Sequence, residues 1–165
     1  VTYCPSSNMK LASGIAPIVD YLDRGITVAL GNDGPPCNNT LDPFTEMKQA
    51  SLLQKVDRLD PEATPAQVVF EMATLGGARA AGFDGVGALR PGWKADVVAL
   101  ETDITRGTPM FDPLSHLVFS AHGDDVRFTM VDGDVVYDAA DGGLQTGDAD
   151  AIRERARRVA DGLRE

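Results

Sequence analysis

The stretch Ile26-Thr-Val-Ala-Leu-Gly-Asn-Asp-Gly-Pro-Pro-Cys-Asn-Asn39 decides the fold. Residues 26–30 are β-compatible and mostly apolar, the pattern of a short buried strand. Gly31 and Gly34 bracket Asn32-Asp33, and Pro35-Pro36 forbids a helix from continuing. The run reads as a strand ending on a turn that carries one aspartate, Asp33. A carboxylate at the C-terminal mouth of a parallel strand is where α/β barrels keep their chemistry. Taken alone, the run is a weak signal and reads first as a plain turn, because Gly, Asn, Asp and Pro are ordinary turn residues.

Working outward, residues 1–4 read as another short strand and residues 5–14 as a loop rich in Ser and Asn. Ile15, Ile18, Val19 and Leu22 fall at i, i+3, i+4 and i+7, one face of a helix ending near Gly25. Strand, helix, strand with short connections predicts a parallel βαβ unit. Downstream, Asp42-Pro43 is an N-cap with proline at the first helical position. Phe44, Met47, Leu52, Leu53 and Val56 supply that helix's apolar face to about Arg58. Thr64-Pro-Ala-Gln67 has the spacing of a capping box. Val68, Val69, Met72 and Leu75 then form a buried stripe, and Gly76-Gly77 permits close packing.

Past Gly82, Gly and Asp become frequent and short β-like runs appear at 97–100, 117–119, 128–131 and 135–137. Val131-Asp-Gly-Asp-Val135 is a hairpin signature. These runs predict part of a β-sandwich. Residues 148–165 form a polar helix with Ile152, Ala156, Val159, Ala160 and Leu163 on one face. The predicted organisation is 1–85 barrel-like, 86–140 sandwich-like and 141–165 linker and helix.

The 165 residues are 43% hydrophobic and 24% charged, the composition of a globular domain. No apolar run approaches the ~20 residues of a membrane span. Net charge is −10, from 19 Asp, 6 Glu, 11 Arg and 4 Lys. Such a surface repels nucleic-acid phosphates and anionic lipids, so neither is expected as a partner. The Asp-rich, Lys-poor balance suits a salt-rich cytoplasm. Cys4 and Cys37 are too few for a disulfide framework, which points to a reducing compartment. The chain opens at Val1 directly in a β-like run, which predicts a piece of a longer protein.

Several segments, in order, resemble the amidohydrolase superfamily. They are Tyr3-Cys-Pro-Ser-Ser-Asn-Met-Lys-Leu-Ala-Ser-Gly14, the 26–39 run, Leu41-Asp-Pro-Phe-Thr-Glu-Met-Lys-Gln-Ala50, Glu71-Met-Ala-Thr-Leu-Gly-Gly-Ala-Arg79, Gly87-Ala-Leu-Arg-Pro-Gly-Trp-Lys-Ala-Asp-Val-Val98 and Asp112-Pro-Leu-Ser-His-Leu-Val-Phe119. The branch is that of methylthioadenosine/adenosylhomocysteine deaminases, guanine deaminases and triazine chlorohydrolases. The resemblance covers roughly residues 1–138. It implies an α/β fold: the C-terminal part of a (β/α)8 metal-dependent hydrolase barrel plus part of a β-sandwich. The reaction it implies is deamination, or dechlorination, of a purine, pyrimidine or triazine ring, with one divalent metal (Zn or Fe) and a small heterocyclic substrate. Hydrolysis of a cyclic amide on the same fold, or a non-enzymatic stand-alone piece or assembly subunit, are the alternatives.

The resemblance makes Asp33 both a metal ligand and the catalytic proton shuttle between attacking water and leaving group. Cys37 takes the place of a small polar residue facing the substrate ring, and Asn8 lies near the active-site mouth; both are candidate substrate-binding residues. The bland readings are a turn cap for Asp33, a small buried side chain for Cys37 and a loop brace for Asn8. Tyr3 stands where relatives often carry His, and Trp93 reads as packing. The family's His-x-His pair and further histidines have no counterpart here. His116 reads as structural and His122 as a loop residue. The chain alone is therefore expected to lack the metal, to be inactive, and to self-associate through residues 15–30 and the two following helices.

Overall fold

The computed structural model describes residues 1–163. The chain divides into two compact units: Val1–Trp93 with Glu101–Asp125, and Lys94–Leu100 with the chain from Val126 onward.

The first unit begins with β1 (Thr2–Tyr3), α1 (Pro5–Lys10), α2 (Ile18–Asp23) and β2 (Ala29–Leu30). Strands β1 and β2 pair in parallel, Thr2 with Ala29 and Tyr3 with Leu30, so the βαβ unit is present. Its elements are shorter than expected. Residues 26–28 precede the paired part of β2, although Val28 is buried. The α2 helix starts at Ile18, fully buried, and leaves Ile15 exposed outside it. The predicted loop at 5–14 is a correction. Residues 5–10 form α1, started by Pro5 at its first turn, where a missing N–H costs nothing.

Helix α3 (Pro43–Arg58) starts as the Asp42-Pro43 signature predicts. The Asp42 carboxylate accepts from the Phe44 N–H at 2.9 Å, a cap worth ~1 kcal/mol. Its buried face differs from the predicted one. Phe44 and Met47 are buried, but Leu52 and Val56 are 43% and 70% exposed. Glu46, Ala50, Ser51 and Gln54 face inward instead, and three of these four are polar. Each polar one has a partner, which is how a polar face survives burial, although Gln54 Oε1 accepts from none of the described residues. The Ser51 hydroxyl donates to the Thr64 carbonyl at 2.7 Å, and Gln54 Nε2 donates to the Ala16 carbonyl at 2.9 Å.

Helices α4 (Ala66–Glu71) and α5 (Gly77–Ala81) are joined by a π-helical turn, Met72–Gly76. No capping box forms at Thr64. Its φ is +41°, and its hydroxyl turns to the Ser51 carbonyl instead. Val69 and Met72 are buried as predicted. Gly76 lies against the carbonyl of Val28, where a Cβ would collide with that oxygen. The predicted strand at 117–119 is also corrected. Those residues end α6 (Pro113–Phe119), which repeats the Asp-Pro start, with Asp112 accepting from Leu114 N–H at 3.1 Å.

The second unit is a four-stranded antiparallel sheet in the order β3 (Val97–Leu100), β4 (Val126–Val131), β5 (Asp134–Asp138), β6 (Gly143–Leu144), followed by α7 (Ala149–Gly162). The predicted hairpin is there. Asp132 and Gly133 have φ of +51° and +91°, the backbone of a type I′ turn, and Val131 pairs with Asp134. Asp148 caps α7 by accepting from Ala151 N–H at 2.9 Å. Of the helix predicted over 148–165, the last two residues lie outside the described residues. Among the described helices, none is long and apolar enough to cross a membrane.

Candidate active site

The site is built where β1 and β2 end side by side. The chain leaves β2 through Gly31, where a Cβ would come within 3.2 Å of Cys4 Sγ and closer still to Thr2. Asp33 follows with φ +59°, a left-handed conformation that short polar side chains tolerate best. Its carboxylate is exposed, and two donors orient it. The Ser7 hydroxyl donates to Oδ2 at 2.6 Å, and the Gly34 N–H donates to Oδ1 at 2.7 Å.

These contacts set the charge. The Ser7 hydrogen bond, then the Gly34 N–H, and also the Cys37 thiol hold the Asp33 carboxyl below the usual carboxylate range, against a smaller opposing effect of desolvation. Asp33 is therefore ionised at neutral pH, and each oxygen keeps acceptor capacity beyond its donor. Burial first, then the charges of Asp33 and Glu46, push the Cys4 thiol up, so it stays protonated. Both cysteines are free.

The structure places Cys37 on the turn that follows Asp33, its N–H donating to the Gly34 carbonyl at 3.0 Å. Asn8 lies on α1 next to Ser7, half-buried; its N–H donates to the Cys4 carbonyl and its own carbonyl accepts from Ser13 N–H. Tyr3 is 1% exposed, and its hydroxyl accepts from Gln54 Nε2 at 3.4 Å. Trp93 lies under the Arg90 guanidinium, 4.8 Å from its ring centre. His116, buried on α6, and His122, on the turn after it, belong to other elements; His122 Nδ1 is 4.0 Å from Asp42 Oδ2.

Three residues that shape this site escape sequence reasoning. Ser7 reads there only as loop. Lys10 reaches across from α1, with Nζ 2.7 Å from the Pro36 carbonyl and 2.5 Å from Asn39 Oδ1. Glu46 is fully buried; it accepts from Asn38 Nδ2 at 2.6 Å and from Ser6 N–H at 3.2 Å. A signal for it exists: Glu46, Ala50 and Gln54 recur every fourth residue, a stripe beside buried Met47.

Asp33 fits the part of one metal donor, being ionised, exposed and pre-oriented. A catalytic ion takes three or more protein donors. Among the described residues, no group of three or more His, Cys, Asp or Glu is arranged to hold one.

Comparison with known proteins gives that geometry a context. The chain is 46% identical over 159 residues to the 5-methylthioadenosine/S-adenosylhomocysteine deaminase of Nitratidesulfovibrio vulgaris, covering 96% of this chain and 36% of that protein. It is 49% identical over 155 residues to the 5'-deoxyadenosine deaminase of Methanothermobacter thermautotrophicus, covering 94% and 34%. A zinc-bound adenosine deaminase from Xanthomonas campestris superposes with a TM-score of 0.95 at 34% identity, over 99% of this chain and 37% of that one. The chain therefore spans about a third of the length of the relatives it matches. Residues 1–136 match the model of the amidohydrolase family, and the chain belongs to that family.

Proposed function

We propose that this chain is the C-terminal part of a longer metal-dependent hydrolase that deaminates an adenosine-type nucleoside, with Asp33 moving the proton. The observation that carries the reading is the Asp33 carboxylate, ionised and aimed by Ser7 and Gly34 N–H at the end of a parallel strand. The names of the three relatives above, all deaminases of adenosine-type nucleosides, favour an adenine ring over a triazine.

In such a reaction water adds to the ring carbon, the exocyclic C–N bond breaks and ammonia leaves. A divalent ion, zinc or iron, would lower the pKa of that water towards neutrality. Asp33 would take the proton from the water and hand it to the leaving nitrogen, the work of a positioned general base and acid. Its low pKa keeps it ready to accept at neutral pH. Ser7 and Gly34 would hold the carboxylate through both transfers. Cys37, on the turn after Asp33, would face the ring, and Asn8 would line the approach from α1. The remaining metal donors would come from the preceding part of the protein, so this chain alone would bind metal weakly and turn over nothing. Exposed Ile15, Ile26, Leu52 and Val56 would drive self-association of the isolated chain, and the acidic surface would suit a salt-rich cytoplasm.

The test is ammonia and chloride release by the whole metal-loaded protein. The substrates are 5'-methylthioadenosine, S-adenosylhomocysteine, 5'-deoxyadenosine, guanine and a chlorotriazine. Ammonia from a nucleoside, with D33N about a thousandfold slower, supports the reading. Chloride alone would replace deamination by dechlorination. Release from none of them overturns it.

A further inference from the structure

The buried carboxylate of Glu46 takes no part in the chemistry just described. Its place is nevertheless specific. Oε1 accepts from Asn38 Nδ2 at 2.6 Å and Oε2 from Ser6 N–H at 3.2 Å. Ser6 is the neighbour of Ser7, which holds Asp33 Oδ2. Asn38 closes the turn that starts at Gly34, its N–H on the Gly34 carbonyl at 3.0 Å, and Gly34 N–H holds Asp33 Oδ1. Asn38 Oδ1 is itself engaged, accepting from Thr40 N–H at 3.3 Å, the Thr40 hydroxyl at 3.1 Å and Leu41 N–H at 3.4 Å. One side chain on α3 thus ties together the two segments whose donors aim Asp33.

We propose that Glu46 is a positioning residue, a clamp that sets the spacing between α1 and the Asp33–Asn38 turn and so the aim of the Asp33 carboxylate. The reading rests on the hydrolase function above. A fully buried carboxylate is costly unless hydrogen-bonded, and here both oxygens serve the two site segments rather than the apolar core. The E46Q side chain has one acceptor oxygen for two donors, Asn38 Nδ2 and Ser6 N–H. One arm of the clamp must open. Exchanging the partners repairs it. In N38D/E46Q, the amide oxygen at position 46 accepts from Ser6 N–H and the amide nitrogen donates to the new carboxylate at position 38. The other oxygen of that carboxylate keeps the Thr40 and Leu41 bonds. Hydrogen bonds and net charge are both restored.

The experiment compares wild type, E46Q, N38D/E46Q and N38A in the whole metal-loaded protein. It reads kcat and KM for 5'-methylthioadenosine, metal loss to a chromophoric chelator, unfolding midpoint, and the rate of Cys37 alkylation by peptide-resolved mass spectrometry. The last readout needs neither metal nor turnover. The clamp predicts that E46Q lowers kcat roughly ten- to hundredfold with KM within about twofold. It also predicts faster metal loss and Cys37 labelling at least about threefold faster, with the double variant returning all three towards wild type. N38A opens the clamp from its other end and serves if E46Q does not fold. A lower unfolding midpoint with kcat, metal loss and labelling unchanged overturns the proposal, leaving Glu46 a brace of the fold. Failure of N38D/E46Q to restore any of the three overturns it too. A wild-type protein that turns over nothing, with the labelling contrast and its rescue intact, refutes the hydrolase reading and supports the clamp.

Discussion

The two units of this chain are ordered by different means. Among the described residues, every buried one lies in the first unit, and the second has none. The first unit's interior is wired by polar groups: Glu46 to Ser6 and Asn38, Ser51 to Thr64, Gln54 to Ala16 and Tyr3. The second unit relies on backbone ladders, a type I′ turn and surface ion pairs such as Arg127 with Asp138. Polar wiring inside a core fixes one arrangement, because a misplaced partner leaves a buried group unsatisfied. A sheet with half-exposed faces tolerates more variation. The unit that carries Asp33 is the one built for accurate placement.

The comparison breaks most readily at Gly76. A Cβ there would overlap the Val28 carbonyl and sit 3.1 Å from the Glu71 carbonyl, and backbone does not yield cheaply. G76A is expected to destabilise the first unit by about 3 kcal/mol, the upper end for overpacking. Gly133, in the second unit, has nothing within 4 Å of its would-be Cβ, so G133A meets only the strain of a positive φ, about 1 kcal/mol. Urea unfolding followed by far-UV circular dichroism measures both. Equal losses would erase the contrast.

Acid should sharpen it next. Asp125 is 4% exposed, and burial alone would raise its pKa. The Arg106 guanidinium, bonded through two nitrogens, and the His122 N–H at 2.9 Å outweigh that and hold the carboxyl below its ordinary value. A depressed folded pKa gives stability that is present above the unfolded value of about 3.9 and lost as pH falls through the lower folded one. D125N is expected to cost about 2 kcal/mol at pH 7 and to flatten the fall of the urea midpoint below about pH 4. An unchanged acid slope would remove Asp125 from the account. In the same unit, S51A strips the Thr64 carbonyl of its hydroxyl donor and is expected to cost about 1 kcal/mol.

Much of this is legible in the chain, and what is not has identifiable causes. The Asp33 turn, the Asp42 cap and the Asp132-Gly133 hairpin rest on local chemistry, so local reading finds them, while the parallel pair of Thr2 with Ala29 follows from the strand–helix–strand order. Helix α6 escapes it although Asp112-Pro113 repeats the Asp42-Pro43 start, because Leu117-Val-Phe119 looks like a strand when read without its cap. Thr64 has capping-box spacing, yet its backbone turns left-handed and its hydroxyl serves Ser51 across 13 residues. Ser7 and Glu46 depend on partners 26 and 40 residues away, and no window of sequence displays such a pairing. The pattern rule equates buried with apolar. On α3 the inward positions include Glu46, Ser51 and Gln54, while Leu52 and Val56 face out.

The smallest expected effect lies on α7. The sequence places Ile152, Val159 and Leu163 on one apolar face, but they are 56%, 59% and 83% exposed, so the face covers no core of its own unit. Burial is what makes an apolar side chain stabilising, at about 25 cal/mol per Å² removed from water. A face left in water contributes almost nothing. I152S/V159S is therefore expected to shift stability by less than about 0.5 kcal/mol, a fraction of the loss at Gly76, even though it removes two large aliphatic groups. The paired measurement is light scattering. If the same double variant also lowers the apparent mass of the isolated chain, α7 contributes to its association. If the mass is unchanged, association runs through the first unit's exposed Ile15, Ile26, Leu52 and Val56 instead. A stability loss approaching about 2 kcal/mol, the scale of burying a large aliphatic side chain, would mean that the α7 face is covered in solution, and that the second unit has a core after all.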